Sequence, residues 1–94
     1  MPRSELPPAQ ETLLEFPCAF PLKIMGLADA ALTKTVLEIV RRHAPDFAAA
    51  TMAMRASRRG KYRGLTCTIN ATSQAQLNAL YRELSAHPMV KVVL

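Results

Sequence analysis

The densest cluster of positive charge in this sequence is the stretch RASRRGKYRG, at residues 55–64. Basic side chains grouped in this way can neutralise phosphate, which is the chemistry of anion and nucleic-acid binding. The sequence has no Asp or Glu between Asp46 and Glu83, so no acidic residue offsets the charge of this interval. The side chains that would contact an anion are those of Arg55, Arg58, Arg59, Lys61 and Arg63.

The same stretch also has the composition of a hairpin loop between two strands. Gly60 suits the left-handed position that ends a three-residue loop, because a residue without a Cβ atom adopts positive φ without a clash. Arg58 and Arg59 would form the turn that precedes it. We favour this structural explanation, and anion binding stays open as an alternative role for the same side chains.

The other reactive side chains form no catalytic or metal-binding pattern in the sequence. Cys18 and Cys67 lack the spacing of a zinc site, and no base is placed beside either thiol. His43 and His87 each lie near the end of a helix-forming segment and close to a proline. We therefore expect a protein that is not an enzyme and that needs neither a metal nor a cofactor.

Length and composition are those of one small globular domain. The chain has 94 residues, of which 50% are hydrophobic and 20% charged, and its net charge is +5. Residues 1–12, MPRSELPPAQET, contain three prolines and no apolar centre, so they predict a flexible tail and not a signal peptide. No apolar run approaches the roughly 20 residues of a membrane span, and two free cysteines suit a reducing compartment. We expect a cytoplasmic protein without membrane contact.

Hydrophobic periodicity divides residues 13–94 into four strands and two helices. Alternation with a period of two predicts strands within AFPLKIMG, AAATMAMRAS, GLTCTINA and PMVKVVL. Apolar residues at helical spacing predict helices within DAALTKTVLEIVRRHAP and SQAQLNALYRELSAH, with Asp29 and Ser73 as N-caps. In the last strand, alternation predicts that Val90, Val92 and Leu94 point to the core and Lys91 to solvent.

The order βαββαβ predicts an α+β fold of the ferredoxin-like type, a single domain over residues 13–94. Its four-stranded antiparallel sheet would carry both helices on one face. The other face would be open, with side chains of Lys23, Met25, Thr66, Thr68 and Asn70. None of these is aromatic, which argues against an RNA-recognition domain, where aromatic side chains of the central strands stack on bases.

Exposed sheet edges favour pairing with another chain. We therefore expect a homodimer, or docking onto a partner enzyme, through an edge or the open face of the sheet. A small-molecule effector is a further expected partner, whereas nucleic acid is not favoured.

Seven short segments, in this order, make the chain similar to the YbeD family of small bacterial proteins. They span roughly residues 11–94 and are LLEFP (13–17), KIMG (23–26), RRHAP (41–45), S-x-x-G-x-Y (57–62), TINAT (68–72), LYREL (80–84) and VKVVL (90–94). The resemblance implies a sheet similar to that of ACT domains, which sense small molecules and regulate metabolic enzymes. It also implies a link with the regulation of lipoate metabolism.

The resemblance to ACT domains further implies an effector site near the turn after the first strand. The corresponding residues here are Met25, Gly26 and Asp29. Our prediction is a non-enzymatic regulatory or ligand-sensing module of ACT-like fold. The alternative is an anion- or nucleic-acid-binding accessory protein that uses the basic hairpin.

Overall fold

The order of elements in the structure, a computed structural model that describes residues 15–94, is the one that periodicity predicts. The predicted tail at residues 1–12 lies outside the described residues. A short 3₁₀ helix, Ala49–Thr51, precedes the second strand. The strands and helices are β1 (Cys18–Leu27), α1 (Ala30–His43), β2 (Ala53–Ala56), β3 (Tyr62–Ala71), α2 (Gln74–Ala86) and β4 (Val90–Val93).

The four strands form one antiparallel sheet in the order β2-β3-β1-β4. Strands β1 and β3 are the long central pair, and their register runs from Cys18 opposite Ala71 to Leu27 opposite Tyr62. The short strands β2 and β4 are the two edges of the sheet. This arrangement confirms the predicted ferredoxin-like fold.

The hydrophobic core lies between one face of the sheet and the two helices. Alternate residues of β1 and β3 point into it, among them Leu22 and Cys67, and both helices contribute one apolar stripe. The buried side chains of the two helices are those of Leu32, Val36, Ile39, Val40, Leu77, Leu80 and Leu84. Within residues 15–94, no helix covers the second face of the sheet, which is therefore the face on which a site could form.

Both helices begin at the predicted capping residues. The Asp29 carboxylate accepts a hydrogen bond from Ala31 N–H at 2.8 Å, and Ser73 Oγ accepts one from Gln76 N–H at 3.1 Å. These bonds satisfy amide groups that the first turn of a helix leaves without a partner. No helix within residues 15–94 is long and apolar enough to cross a membrane.

Strand β2 is shorter than the alternation in AAATMAMRAS predicts. Its first part forms the 3₁₀ helix, so Ala50 and Met52 lie outside the strand. Alanine has little preference for strands, and three successive alanines (48–50) allow the chain to turn instead. The strand that remains has four residues, and all of them are exposed.

The prediction that Val92 and Leu94 point to the core is wrong. The register of β4 on β1 changes from Val90 opposite Gly26 to Val92 opposite Met25, so Lys91 is the extra residue of a β-bulge. A bulge shifts the alternation of every residue after it by one position. Val90 is therefore 8% exposed, whereas Val92 is 43% and Leu94 70% exposed.

Candidate functional site

The five basic residues of the hairpin do not form one surface. Arg55 lies directly opposite Gly64 on the open face of the sheet. Arg63 points to the helical face, where its Nη1 donates a hydrogen bond to Thr33 Oγ1 of α1 at 3.1 Å. Three basic side chains remain together at the exposed tip of the hairpin, those of Arg58, Arg59 and Lys61.

The hairpin loop has one residue more than we predicted. Ser57 and Tyr62 close it, since Ser57 N–H donates to Tyr62 O at 2.9 Å and Tyr62 N–H donates to Ser57 Oγ at 3.1 Å. The loop proper is therefore residues 58–61. Gly60 has φ of +71°, which confirms the left-handed position that its lack of a Cβ atom allows.

The three residues of the predicted effector turn have three different environments. Met25 is exposed on the open face of the sheet, and Asp29 caps α1. Gly26 is buried, and a Cβ atom there would collide with the Met89 carbonyl oxygen and lie 2.8 Å from Leu32 Cδ1. The structure thus places Met25 on the surface and gives Gly26 a packing role, and the three residues do not form one site.

A different group of residues meets on the open face. Directly opposite residues of neighbouring strands point to the same face, so Arg55, Gly64, Met25 and Val92 form one row across all four strands. Because Gly64 has no side chain, the protein surface is depressed at the centre of this row. The result is a hollow with a volume of about 610 Å³ that is open to solvent.

The second row of the hollow contains Ala53, Thr66 and Lys23, and Leu94 pairs with Lys23 through two backbone hydrogen bonds of 2.7 and 3.2 Å. The walls are therefore mostly apolar, with a cation on each side of the centre, Lys23 and Arg55. The described residues that line the hollow include no acidic side chain: they are Lys23, Ile24, Met25, Ala53, Met54, Arg55, Gly64, Leu65, Thr66, Val92 and Leu94. This chemistry suits a ligand with an apolar body and an anionic group.

Two features of this face are absent from the sequence-based prediction. The bulge at Lys91 brings Val92 and Leu94 to the hollow, and no local pattern in PMVKVVL signals it. Tyr62 is the first residue of β3 and lies opposite Leu27 on the open face, so this face does carry one aromatic side chain. The sequence did contain a signal for the role of Gly64, since a glycine inside a strand often marks the close approach of a ligand or of another part of the backbone.

Cys67 and His43, two other side chains that could be reactive, have structural roles. Cys67 is fully buried in the core, and burial raises the pKa of its thiol to about 11, so the thiol stays protonated. His43 Nε2 lies 2.7 Å from Glu83 Oε1, and Glu83 Oε2 lies 2.7 Å from Arg42 Nη2, which links the two helices. Among residues 15–94, no group of three or more His, Cys, Asp or Glu side chains could hold a metal ion.

Comparison with known proteins places the chain in a family. Residues 11–94 match the sequence model of the family described as "Protein of unknown function (DUF493)". The chain belongs to this family. The match confirms the resemblance to the YbeD proteins, which are also called UPF0250 proteins.

Relatives in this DUF493 family match the chain over nearly their whole length. A UPF0250 protein of Nitrosomonas europaea is 52% identical over 85 residues, which is 90% of this chain and 98% of that protein. A UPF0250 protein of Leptothrix cholodnii is 49% identical over 87 residues, with coverage of 93% and 96%. A UPF0250 protein of Bordetella pertussis is 46% identical over 87 residues, again with coverage of 93% and 96%.

Proposed function

We propose that the protein is a non-enzymatic regulatory module that senses a small amphipathic anion in the hollow over Gly64. The observation that supports this function is the lining of the hollow. Met25, Val92 and Leu94 expose apolar surface there, at 47%, 43% and 70%. Exposed apolar surface gathered in a concave site with a few polar groups is the usual character of a small-molecule site.

Two cationic side chains in the hollow favour a negatively charged ligand. Lys23 and Arg55 lie on opposite sides of the central glycine, in adjacent rows of the same face. An anionic group beside either side chain would form a charge-assisted hydrogen bond, while the rest of the ligand displaces water from the apolar wall. Arginine also offers a bidentate geometry to a carboxylate.

Lipoate has the chemistry that this lining favours, because it is an apolar chain that ends in a carboxylate. The resemblance to the YbeD family points to the same compound. In this proposal the effector contacts Met25 but neither Gly26 nor Asp29, since those two residues have packing and capping roles.

Thermal unfolding with a matched set of ligands tests the proposal. A ligand that binds only the folded state raises the Tm with its concentration. We expect lipoate and octanoate to raise the Tm, and lipoamide, which has the same body without the charge, to have a clearly smaller effect. No change in Tm with either carboxylate at millimolar concentration would contradict the proposed function.

A pair of variants locates the site. Gly64→Val fills the hollow, and the position accepts a side chain because a Cβ atom there would lie 3.7 Å from its nearest contact, Arg55 O. We expect this variant to fold and to lose the ligand-induced rise in Tm, and Arg55→Ala to weaken it. Arg58→Ala at the hairpin tip is the control, and an equal loss in that variant would place the anion at the hairpin and not in the hollow.

A further inference from the structure

The outer edge of β2 is a second surface to which no strand within residues 15–94 is paired. This strand lies at one end of the sheet, and its four residues, Ala53–Ala56, are all exposed. Their pairing with β3 is regular, without a bulge. An edge strand of this kind presents backbone N–H and C=O groups to which another strand can bind.

The hydrogen-bond pattern shows which backbone groups are presented. Ser57 N–H donates to the oxygen of Tyr62, the residue directly opposite, so this is a hydrogen-bonded pair. Such pairs alternate along an antiparallel ladder, so Arg55 and Ala53 bond to β3, whereas Met54 and Ala56 do not. The N–H and C=O groups of Met54 and Ala56 therefore point away from β3.

The opposite edge of the sheet is less suitable for another strand. Strand β4 contains the bulge at Lys91, and its register on β1 shifts there. Bulges interrupt the ladder and protect edges from pairing. Of the two edges, β2 is the one with a regular and uninterrupted pattern.

Charge decides what kind of chain would bind at this edge. Arg55 lies in β2 itself, and the hairpin tip beyond it carries Arg58, Arg59 and Lys61. The sequence from Phe47 to Arg82 contains no acidic residue. A strand added at β2 would therefore lie beside positive charge along its length, which favours an acidic partner and accelerates its association.

We propose that the edge of β2 binds an extended acidic segment of a partner protein as a fifth strand of the sheet. The backbone groups of Met54 and Ala56 supply the hydrogen bonds, and the basic side chains of β2 and the hairpin select for Asp and Glu. A second copy of this chain is a poor occupant, because antiparallel pairing of two β2 strands through Met54 and Ala56 would place the two Arg55 side chains directly opposite each other, and like charges in that position are destabilising. The backbone groups of this edge are distinct from the proposed effector site on the sheet face, although Arg55 contributes charge to both.

Peptide binding measured by fluorescence anisotropy tests this inference. The probe is an octapeptide of alternating glutamate and valine, and the control is the octapeptide of alternating lysine and valine. We expect binding of the acidic peptide only, with an affinity that falls as salt is added. In NMR hydrogen exchange, the amides of Met54 and Ala56 should become protected when the acidic peptide binds.

A matched pair of variants separates edge pairing from general charge attraction. Ala56→Pro removes an outward N–H without breaking the ladder to β3, and we expect it to weaken binding at least about fivefold, the value of one hydrogen bond. Ala56→Val keeps the N–H and should bind as the unmodified chain does. The double variant Arg58→Glu with Arg59→Glu, which leaves the backbone intact, should also weaken binding.

Three results would overturn the inference. They are no binding of the acidic peptide at about 1 mM, equal binding of the acidic and basic peptides, and unchanged binding by a correctly folded Ala56→Pro variant. Sedimentation supplies a further test: a dimer that Ala56→Pro converts to a monomer would show that a second copy occupies this edge.

Discussion

Two glycines of the sheet have opposite roles at the scale of single residues. Gly26 is buried where α1 and the residue before β4 approach β1, so its missing side chain allows close packing. Gly64 is on the open face, where its missing side chain leaves room for a ligand. The sequence shows both as glycines next to strand-forming residues, and only the contacts across the strands distinguish them.

Alanine substitutions at these two positions should change stability in opposite directions. Gly26→Ala forces a Cβ atom against the Met89 carbonyl oxygen, which belongs to the backbone and cannot easily move, so we expect a loss of about 2–3 kcal/mol. Gly64→Ala meets nothing closer than 3.7 Å and should raise stability by about 0.5 kcal/mol, because alanine has less freedom in the unfolded chain. Urea unfolding followed by circular dichroism measures both, and similar values for the two would contradict this explanation.

Strand β4 determines the character of the open face at the scale of elements. If Lys91 paired with β1 as an ordinary strand residue, Val92 would point to the core and the hollow would lose one wall. Periodicity cannot reveal such a bulge, because the register depends on the partner strand and not on the residues of β4 alone. Helices α1 and α2, in contrast, could be predicted well, since their apolar stripes and capping residues are local features of the sequence.

Deletion of Lys91 is the direct test of this role. Because Lys91 is the extra residue, the shortened strand should pair regularly with β1 and keep Val90 opposite Gly26 and Val92 opposite Met25. We expect a folded protein that still gains Tm from lipoate, because Val92 stays in the apolar wall of the hollow. Val92→Ser, which removes apolar surface from this wall, should gain less Tm from lipoate, and a response equal to that of the unmodified chain would argue against the role of β4.

At the scale of the whole molecule, some features could be predicted from the sequence and others could not. The fold followed from the order and the amphipathic faces of the elements. The distribution of the basic residues did not, because Arg55 and Arg63 point to opposite faces of the sheet although they are close in sequence. The contact between His43 and Glu83 joins residues 40 positions apart, and no local pattern signals it.

Stability of the whole domain should fall in alkaline solution. Burial raises the pKa of Cys67 from 9.0 to about 11, and burial also raises the pKa of Tyr81. The unfolded chain therefore loses these protons first, so the stabilisation is complete below about pH 9 and is lost as the pH rises towards 11. We expect the free energy of unfolding to fall by about 2–3 kcal/mol over this interval for Cys67 alone.

Urea unfolding across this pH range provides the measurement. Cys67→Ala is less stable at neutral pH because it leaves a small cavity, but its stability should depend less steeply on pH. A slope identical to that of the unmodified chain would show that the buried thiol makes no contribution.

The unequal burial of the two cysteines provides a labelling site without mutagenesis. Cys67 is enclosed in the core, whereas Cys18 is partly exposed at the start of β1. A maleimide dye should therefore attach to Cys18 alone in the native protein. Since Cys18 is paired with Ala71, at the end of the central strands remote from the hairpin, the dye would report on tumbling and assembly without obstructing either proposed contact surface.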